Sequence, residues 1–154
     1  MANTIYSING PVIKLRDTKD FSMQEMVYVG HQKIIGEVIS ITEKETTVQV
    51  YEGTTGLKPG EPVFPTGSPL CVTLGPGILS NIFDGIERPL RDMEEATGAF
   101  IGTGSDIPAL DLQKTYDVTI TVKEGDHLKG GDIYATCPET PLIVHKCMLS
   151  PDLE

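Results

Sequence analysis

The stretch KIIGEVISITEKETTVQVYEGTTG, residues 33–56, carries the strongest β signal in the chain. Its first half predicts one strand through the apolar residues Ile35, Val38, Ile39 and Ile41. The polar turn EKET follows, and the return strand carries Val48, Val50 and Tyr51. Because β-branched and aromatic residues alternate here with polar ones, the stretch predicts a β-hairpin.

The sequence on both sides of this hairpin also predicts short strands. In TIYSINGPVIKL, residues 4–15, Asn9-Gly10 favours a tight turn and Pro11 cannot continue a strand ladder. Ser22 and Glu25 match a capping box, which predicts one helical turn with Met23, Met26 and Val27 on its buried side. A last strand is expected at 69–74, and this density of short strands and turns predicts a small closed, six-stranded type of β-barrel.

The second half of the chain predicts a separate, smaller β unit. YDVTITV, residues 116–122, alternates strictly, and LIVHKCML, residues 142–149, forms a final strand. Both strands are expected to have unpaired edges, which invite pairing between copies of the chain or disorder after about Pro138. The predicted domains are a barrel at 1–75, a linker with a short helix at 76–104, and a partial barrel-sandwich-like unit at 105–154.

Composition and charge exclude several classes of function. The 154 residues have a net charge of −10, and residues 75–154 hold 14 of the 22 acids. No basic face points to nucleic acid, and no apolar run approaches the ~20 residues that a membrane helix needs. Three cysteines without a pairing pattern or a signal peptide favour a reducing cytoplasm. The acid-rich second half favours a basic partner, although solubility alone also explains the charge.

The motifs predict no catalytic, cofactor or metal site. A P-loop holds phosphates with backbone amides and a lysine, and neither GPGILSNIFDG nor GAFIGTGSD contains a lysine. No G-x-S-x-G nucleophile motif occurs. Cys147 lies beside His145 and Lys146 and is expected to be an ordinary half-buried strand cysteine. Two ligands, His145 and Cys147, do not make a zinc site.

The stretch GPGILSNIFDGIERPL, residues 75–90, predicts a structural hinge between domains. Ile78, Leu79, Ile82 and Phe83 have the spacing of one apolar helical face and are expected to pack as a plug. The expected hinge residues are Gly75, Pro76, Gly77, Phe83, Asp84, Gly85 and Pro89. Their glycines are assigned to backbone geometry, not to phosphate binding.

One stretch in the second half of the chain suggests a carrier function. VKEGDHLKGGDIYATC, residues 122–137, resembles the fold pattern of biotinyl and lipoyl carriers. The hairpin that would present the modified lysine is Pro138-Glu139-Thr140-Pro141 and contains none, while Lys146 lies later, within a strand. A stand-alone barrel-sandwich carrier or ligand-binding protein is therefore the alternative function, and an adduct on Lys146 would favour it.

Most of the chain resembles the catalytic A subunit of V-type and archaeal-type rotary ATPases. The segment 75–90 resembles the end of that protein's N-terminal barrel, and SINGPVIKL, MVYVGHQKIIGEVI and VQVYEGTTGLKPGEPV resemble its strands. PALD, KEGDHLKGGDI and IVHKCMLSP resemble the insertion, or bulge, that distinguishes A subunits.

This resemblance implies an assembly role without catalysis. The family's nucleotide-binding and C-terminal domains are absent from the sequence, so no catalytic residue is carried over and the chain alone is not expected to hydrolyse ATP. The implied partners are B subunits and other A subunits in the head, and the peripheral stalk. The implied location is cytoplasmic, peripheral to the membrane, in a complex that couples ATP hydrolysis or synthesis to proton or sodium transport.

Overall fold

The computed structural model describes residues 3–18, 20–98, 102–104 and 107–153. These residues form two compact units, each containing one antiparallel sheet. Unit 1 comprises Met1–Val72 and Leu90–Ile107, and unit 2 comprises Thr73–Pro89 and Pro108–Glu154. Residues 76–104, which the sequence predicts as a linker, thus contribute to both units, and the boundary predicted at residue 105 lies outside the described residues.

Unit 1 is built on a six-stranded sheet. Its strands are β1 (Ile5–Asn9), β2 (Val12–Arg16), β3 (Glu25–Val29), β4 (Ile34–Ile41), β5 (Glu45–Val50) and β6 (Val63–Pro69). Their order in the sheet is β1-β2-β5-β4-β3-β6. The hairpin predicted at 33–56 is confirmed as β4 and β5, and Asn9 pairs with Val12 around a two-residue turn. Gly10 has the positive φ, 57°, that primed hairpin turns demand at their first position.

The core of unit 1 follows from strict alternation along these strands. In β3 and at the start of β4 every second residue is buried, because successive side chains of a strand point to opposite faces. The buried apolar residues are Ile5, Ile13, Leu15, Val27, Val29, Ile34, Val38, Val48, Val50, Leu57 and Val63. Gly36, within β4, lies so close to Val48 and the Gln49 carbonyl that a Cβ there would stand 2.9 Å from each.

The two ends of the six-stranded sheet meet through a short contact. Thr4 and Pro62 form an isolated antiparallel bridge. Beside it, Ile5 N–H donates to the Glu61 carbonyl at 2.9 Å and Gly60 N–H donates to the Ile5 carbonyl at 2.8 Å. The predicted closure of the barrel is therefore limited to this contact, and no continuous ladder joins β1 to β6 within the described residues.

Two local predictions in unit 1 are wrong. Residues 22–27 form a turn and the start of β3 instead of a helical turn, although Ser22 N–H does donate to the Glu25 carboxylate at 2.7 Å. The last strand runs over Val63–Pro69 and not over 69–74. Prolines 65 and 69 are tolerated because β6 lies at the sheet edge, where a missing N–H breaks no ladder. The short helix α1 (Leu90–Thr97) buries Met93.

The outer face of unit 1 carries a row of apolar and aromatic residues across β6, β3, β4 and the residue after β5. Tyr28 pairs with Phe64 on one side and with Ile35 on the other. Tyr51 N–H donates to the Ile35 carbonyl, which extends the row. The Tyr51 O–H donates to Glu37 at 2.6 Å, and this bond raises the pKa of Tyr51 to about 12. Phe64 is 47% and Tyr51 43% exposed, so the row is accessible on the surface of unit 1.

Unit 2 contains a three-stranded sheet in the order β7-β8-β9. Its strands are β7 (Thr119–Ile120), β8 (Ile133–Pro138) and β9 (Val144–Met148). The strand predicted at 116–122 is thus reduced to two residues, both exposed, because β7 pairs with β8 alone at the sheet edge. In unit 2 the buried apolar side chains on β8 are those of Ala135 and Cys137, so the core of unit 2 is far smaller than that of unit 1.

Candidate functional site

All seven predicted hinge residues lie in unit 2, on the segment between Thr73 and Pro89. A 3₁₀-helix covers Ile78–Ser80, and Asn81 after it is extended. The predicted apolar plug is wrong, since Leu79 and Ile82 are 56% and 59% exposed. The reason is geometric, because a single 3₁₀ turn followed by extended backbone does not bring these side chains onto one helical face.

The two glycines at the start of this segment serve close packing and backbone geometry. A Cβ on Gly75 would stand 2.8 Å from Leu110, and one on Gly77 would stand 2.6 Å from the Tyr116 hydroxyl. Gly77 also has a φ of 104°, which side-chain-bearing residues rarely adopt. Gly77 is therefore favoured by its backbone conformation, and a side chain at Gly75 would require Leu110 to shift.

The Asp84–Arg88 turn closes the segment. The Asp84 carboxylate accepts N–H bonds from Ile86 at 3.0 Å and Arg88 at 2.9 Å, and it pairs with the Arg88 Nε at 2.8 Å. Phe83 and Pro89 form a bridge across the turn. Burial opposes the charged form of Asp84, but the bonds from Arg88 and Ile86 outweigh it, so the pKa of Asp84 lies below its ordinary value of 3.8.

A buried carboxylate accepts hydrogen bonds from backbone amides at the start of the 3₁₀-helix. Glu139 follows β8 directly, and its side chain is 1% exposed. Its Oε1 accepts the N–H of Gly77 at 2.7 Å and the N–H of Leu79 at 3.2 Å. Its Oε2 lies 3.7 Å from the Nδ1 of His145. The amides that a phosphate would use in a glycine-rich loop are thus bound by a carboxylate of the same chain.

Beside this carboxylate lies a cleft of about 450 Å³ in unit 2. Its lining residues are Leu74, Gly75, Pro76, Tyr134, His145, Lys146, Cys147 and Met148. Cys137 pairs with His145 and Ala135 pairs with Cys147, which places these four side chains on one face of the sheet. Burial first, and then the nearby Cys147 thiol and the acids Glu139 and Asp117, raise the pKa of Cys137.

The chemistry around the cleft provides no metal or carrier site among the residues that the structure describes. No group of three or more histidine, cysteine or acidic side chains is arranged to hold a metal there. Lys146 lies inside β9 opposite Thr136, away from the turn that joins β8 to β9. A carrier lysine would be expected at such a turn.

Sequence reasoning did not find that Glu139 and Glu61 bind backbone amides, and for Glu25 it found only the pairing with Ser22. Glu25 is 3% exposed and accepts N–H bonds from Ser22 and Gly67, both at 2.7 Å. Glu61 accepts N–H bonds from Lys58 at 2.9 Å and His31 at 3.2 Å. One signal was available, because glycine-rich turns leave backbone N–H groups that need acceptors, and a glutamate among prolines and glycines can supply one.

No helix in the described ranges is long and apolar enough to cross a membrane. Two family models match the chain. The "ATP synthase alpha/beta family, beta-barrel domain" model matches residues 5–67, and the "ATPsynthase alpha/beta subunit barrel-sandwich domain" model matches residues 107–154.

Curated relatives are similar over nearly the whole chain. The chain is 49% identical over 149 residues to the V-type ATP synthase alpha chain of Halothermothrix orenii, covering 97% of this chain and 25% of that protein. It is 47% identical to the A subunit of the A-type ATP synthase of Natronomonas pharaonis and 48% identical to the catalytic A subunit of the V-type proton ATPase of Neurospora crassa. These alignments cover 97% and 96% of this chain and 26% and 24% of those proteins. The chain therefore spans about a quarter of the length of these relatives.

Among solved structures, the ATPase EscN of the enteropathogenic E. coli type III secretion system is similar, with a TM-score of 0.51 and 28% identity. That similarity covers 56% of this chain and 21% of the EscN chain.

Proposed function

Because the chain belongs to the ATP synthase alpha/beta family, we propose that it forms the non-catalytic N-terminal part of the A subunit of a V-type or A-type ATP synthase. The observation that carries this proposal is the 49% identity over 97% of the chain to a V-type alpha chain. In this role the chain serves assembly of the head in a complex that couples ATP hydrolysis or synthesis to proton or sodium transport. Its location is then cytoplasmic and peripheral to the membrane.

Unit 1 would contact neighbouring A and B subunits in a collar of barrels. The contact between Thr4 and Pro62 shields the sheet ends, so association through side chains is favoured over strand pairing. The exposed row of Phe64, Tyr28, Ile35 and Tyr51 supplies apolar and aromatic area of the kind enriched at interfaces. Tyr51 is neutral at physiological pH, since its pKa lies far above 7 even before the Glu37 bond raises it.

Unit 2 would dock on the peripheral stalk through charge. It contains ten acids against five lysines and arginines, a net charge of −5. A basic helix is the partner that complements this charge, and such complementarity affects encounter and register more than affinity. We therefore expect association to slow as ionic strength rises.

Co-purification tests the assembly role. The chain is co-expressed with B and stalk subunits of its own host, and we expect both to be retained. Phe64→Ser should weaken retention of the B protein, whereas Met23→Ser, which changes another exposed apolar residue of unit 1, should not. Retention of neither partner by the folded wild-type chain would refute the role.

A sensitive ATPase assay tests the absence of catalysis in the isolated chain. We expect no turnover above background, since the sequence lacks the lysine-containing P-loop. Turnover that co-elutes with the pure chain would contradict this expectation. Mass spectrometry of the chain purified from its own host tests the carrier alternative. A covalent adduct on Lys146 would favour that alternative.

A further inference from the structure

We propose that Glu139 is a latch, a positioning residue that holds residues 75–79 on the hairpin formed by β8 and β9. The latch lies entirely within unit 2 and operates whatever the chain assembles with. It gives the segment a defined path without requiring a hydrophobic core.

One carboxylate oxygen makes both bonds of the latch. The N–H groups of Gly77 and Leu79 converge on Oε1, at 2.7 Å and 3.2 Å, from positions 62 and 60 residues earlier in the sequence. Because the Glu139 side chain is 1% exposed, water competes weakly for these donors. Charge-assisted bonds of this kind are stronger than neutral ones.

The latch is needed because the segment cannot satisfy these donors itself. The first N–H groups of any helix have no intrahelical partner, and a three-residue 3₁₀-helix has few internal bonds. Gly77, at the N-cap, has no side chain to cap the helix, and its φ of 104° is one that other residues rarely adopt. Leu79 is 56% exposed and contributes little burial to hold the turn.

The base of the latch is ordered by its own hydrogen bonds. Cys137, two residues before Glu139, is fully buried on β8. Glu139 N–H donates to the Ile143 carbonyl at 3.0 Å, and Thr140 and Ile143 exchange backbone bonds at 3.2 Å. The carboxylate therefore projects from a fixed turn.

The second oxygen has a separate role. Oε2 faces His145 Nδ1 at 3.7 Å, on the strand that returns from the turn. A glutamine at 139 keeps a neutral Oε1 acceptor for both amides but loses the carboxylate charge, both at these bonds and near His145. An alanine removes both acceptors, which separates the hydrogen-bonding role from the charge.

The experiment measures amide hydrogen exchange by NMR on the full 154-residue chain. We expect Glu139→Ala to speed exchange of the Gly77 and Leu79 amides about tenfold or more relative to wild type. In Glu139→Gln the two amides should keep most of their wild-type protection from exchange. Glu124→Ala, which changes an exposed glutamate of the same unit, should leave both amides unchanged.

Two results would overturn the latch. One is unchanged exchange of Gly77 and Leu79 in Glu139→Ala. The other is an equal rise in Glu139→Gln and Glu139→Ala spread over β7, β8 and β9, because this would show that Glu139 supports the fold of unit 2 in general. If Glu139→Ala does not fold, the decision rests on Glu139→Gln. Exchange of the Gly77 and Leu79 amides as slow as in the wild type then supports the latch. Fast exchange of these two amides overturns it.

Discussion

Single carboxylates hold several of the turns in this chain. Glu25, Glu61, Asp84 and Glu139 each accept at least two backbone N–H groups, at distances of 2.7–3.2 Å. Turns rich in glycine and proline leave backbone donors without a local partner, so a fixed acceptor avoids the cost of leaving those donors unpaired. Part of the acidic composition is thus structural and not only solubilising.

Asp84 predicts a stability difference that depends on pH. Asp84→Asn should destabilise unit 2 by about 1 kcal/mol at neutral pH, because it weakens the bonds to Ile86 and Arg88. The pKa of Asp84 is depressed in the folded state, so its stabilisation is present above pH 3.8 and is lost as the pH falls through the lower folded pKa. The difference in the free energy of unfolding between wild type and Asp84→Asn should therefore become smaller below pH 3.8.

Urea unfolding followed through NMR signals of unit 2, over a series of pH values, checks this difference. Asp152→Asn is the matched control, since Asp152 is exposed in the same unit. A gap between wild type and Asp84→Asn that is constant down to the lowest pH would contradict the expected linkage.

Gly36 predicts a steric effect in the core sheet. Gly36→Ala should destabilise unit 1 by about 2 kcal/mol or more, because a Cβ would lie 2.9 Å from the Gln49 carbonyl and from Val48. Gly53→Ala should be neutral or slightly stabilising, since a Cβ there meets nothing within 4 Å. Thermal unfolding of both variants measures the contrast, and equal melting temperatures would refute it.

At the scale of elements, the pairing of β3 with β6 is irregular. Its register shifts between Glu25 and Val27, and β6 exposes most of its residues. The Glu25 carboxylate bridges the irregularity, because it binds Ser22, in the turn before β3, and Gly67 within β6. The buried acid therefore connects β3 to β6 at the point where their pairing is irregular.

Glu25→Ala should therefore release β6 before the rest of the sheet. Removing the acceptor leaves two part-buried N–H groups unpaired, at a cost of about 2 kcal/mol. Amide exchange should rise first at residues 63–69, while β4 and β5 keep their protection. Glu43→Ala, an exposed change in the turn after β4, serves as control, and uniform exchange across the sheet would contradict the assignment.

Elements with simple alternation were predictable and those fixed by long-range bonds were not. The hairpin at 33–56 and the turn at Gly10 are confirmed, since their signals lie within a few residues. Ser22 and Glu25 do form their predicted bond, but β3 pairing overrides the helix. The bonds from Gly77 and Leu79 to Glu139 span 60 residues or more and carry no local signal.

At the scale of the whole molecule, the family was predictable and the division into units was only partly so. The resemblance to rotary ATPase A subunits is confirmed by both family models and by the curated relatives. The hinge role of Gly75–Pro89 stays a prediction. Sequence reading could not assign α1 to unit 1 and the preceding residues 73–89 to unit 2, because tertiary packing decides both.

The different burial of the three cysteines predicts the order in which they react with a thiol reagent. Cys71 is exposed and should react at once with a thiol reagent, whereas Cys137 is fully buried with a raised pKa and should react only when unit 2 opens. Cys147 is intermediate. Mass spectrometry at timed intervals gives the order, and Cys71→Ser should remove the fast phase alone. Modification of Cys137 as early as Cys71 would contradict the burial.

The alternation of the two units along the chain has a consequence for synthesis on the ribosome. The contact of Ile5 with Gly60 and Glu61 cannot form until those residues have left the exit tunnel. Residues 73–89 emerge next, but Glu139, which binds the amides of Gly77 and Leu79, is made only after all the residues of α1. During translation the amides of Gly77 and Leu79 therefore lack this acceptor until β8 and its following turn have been made.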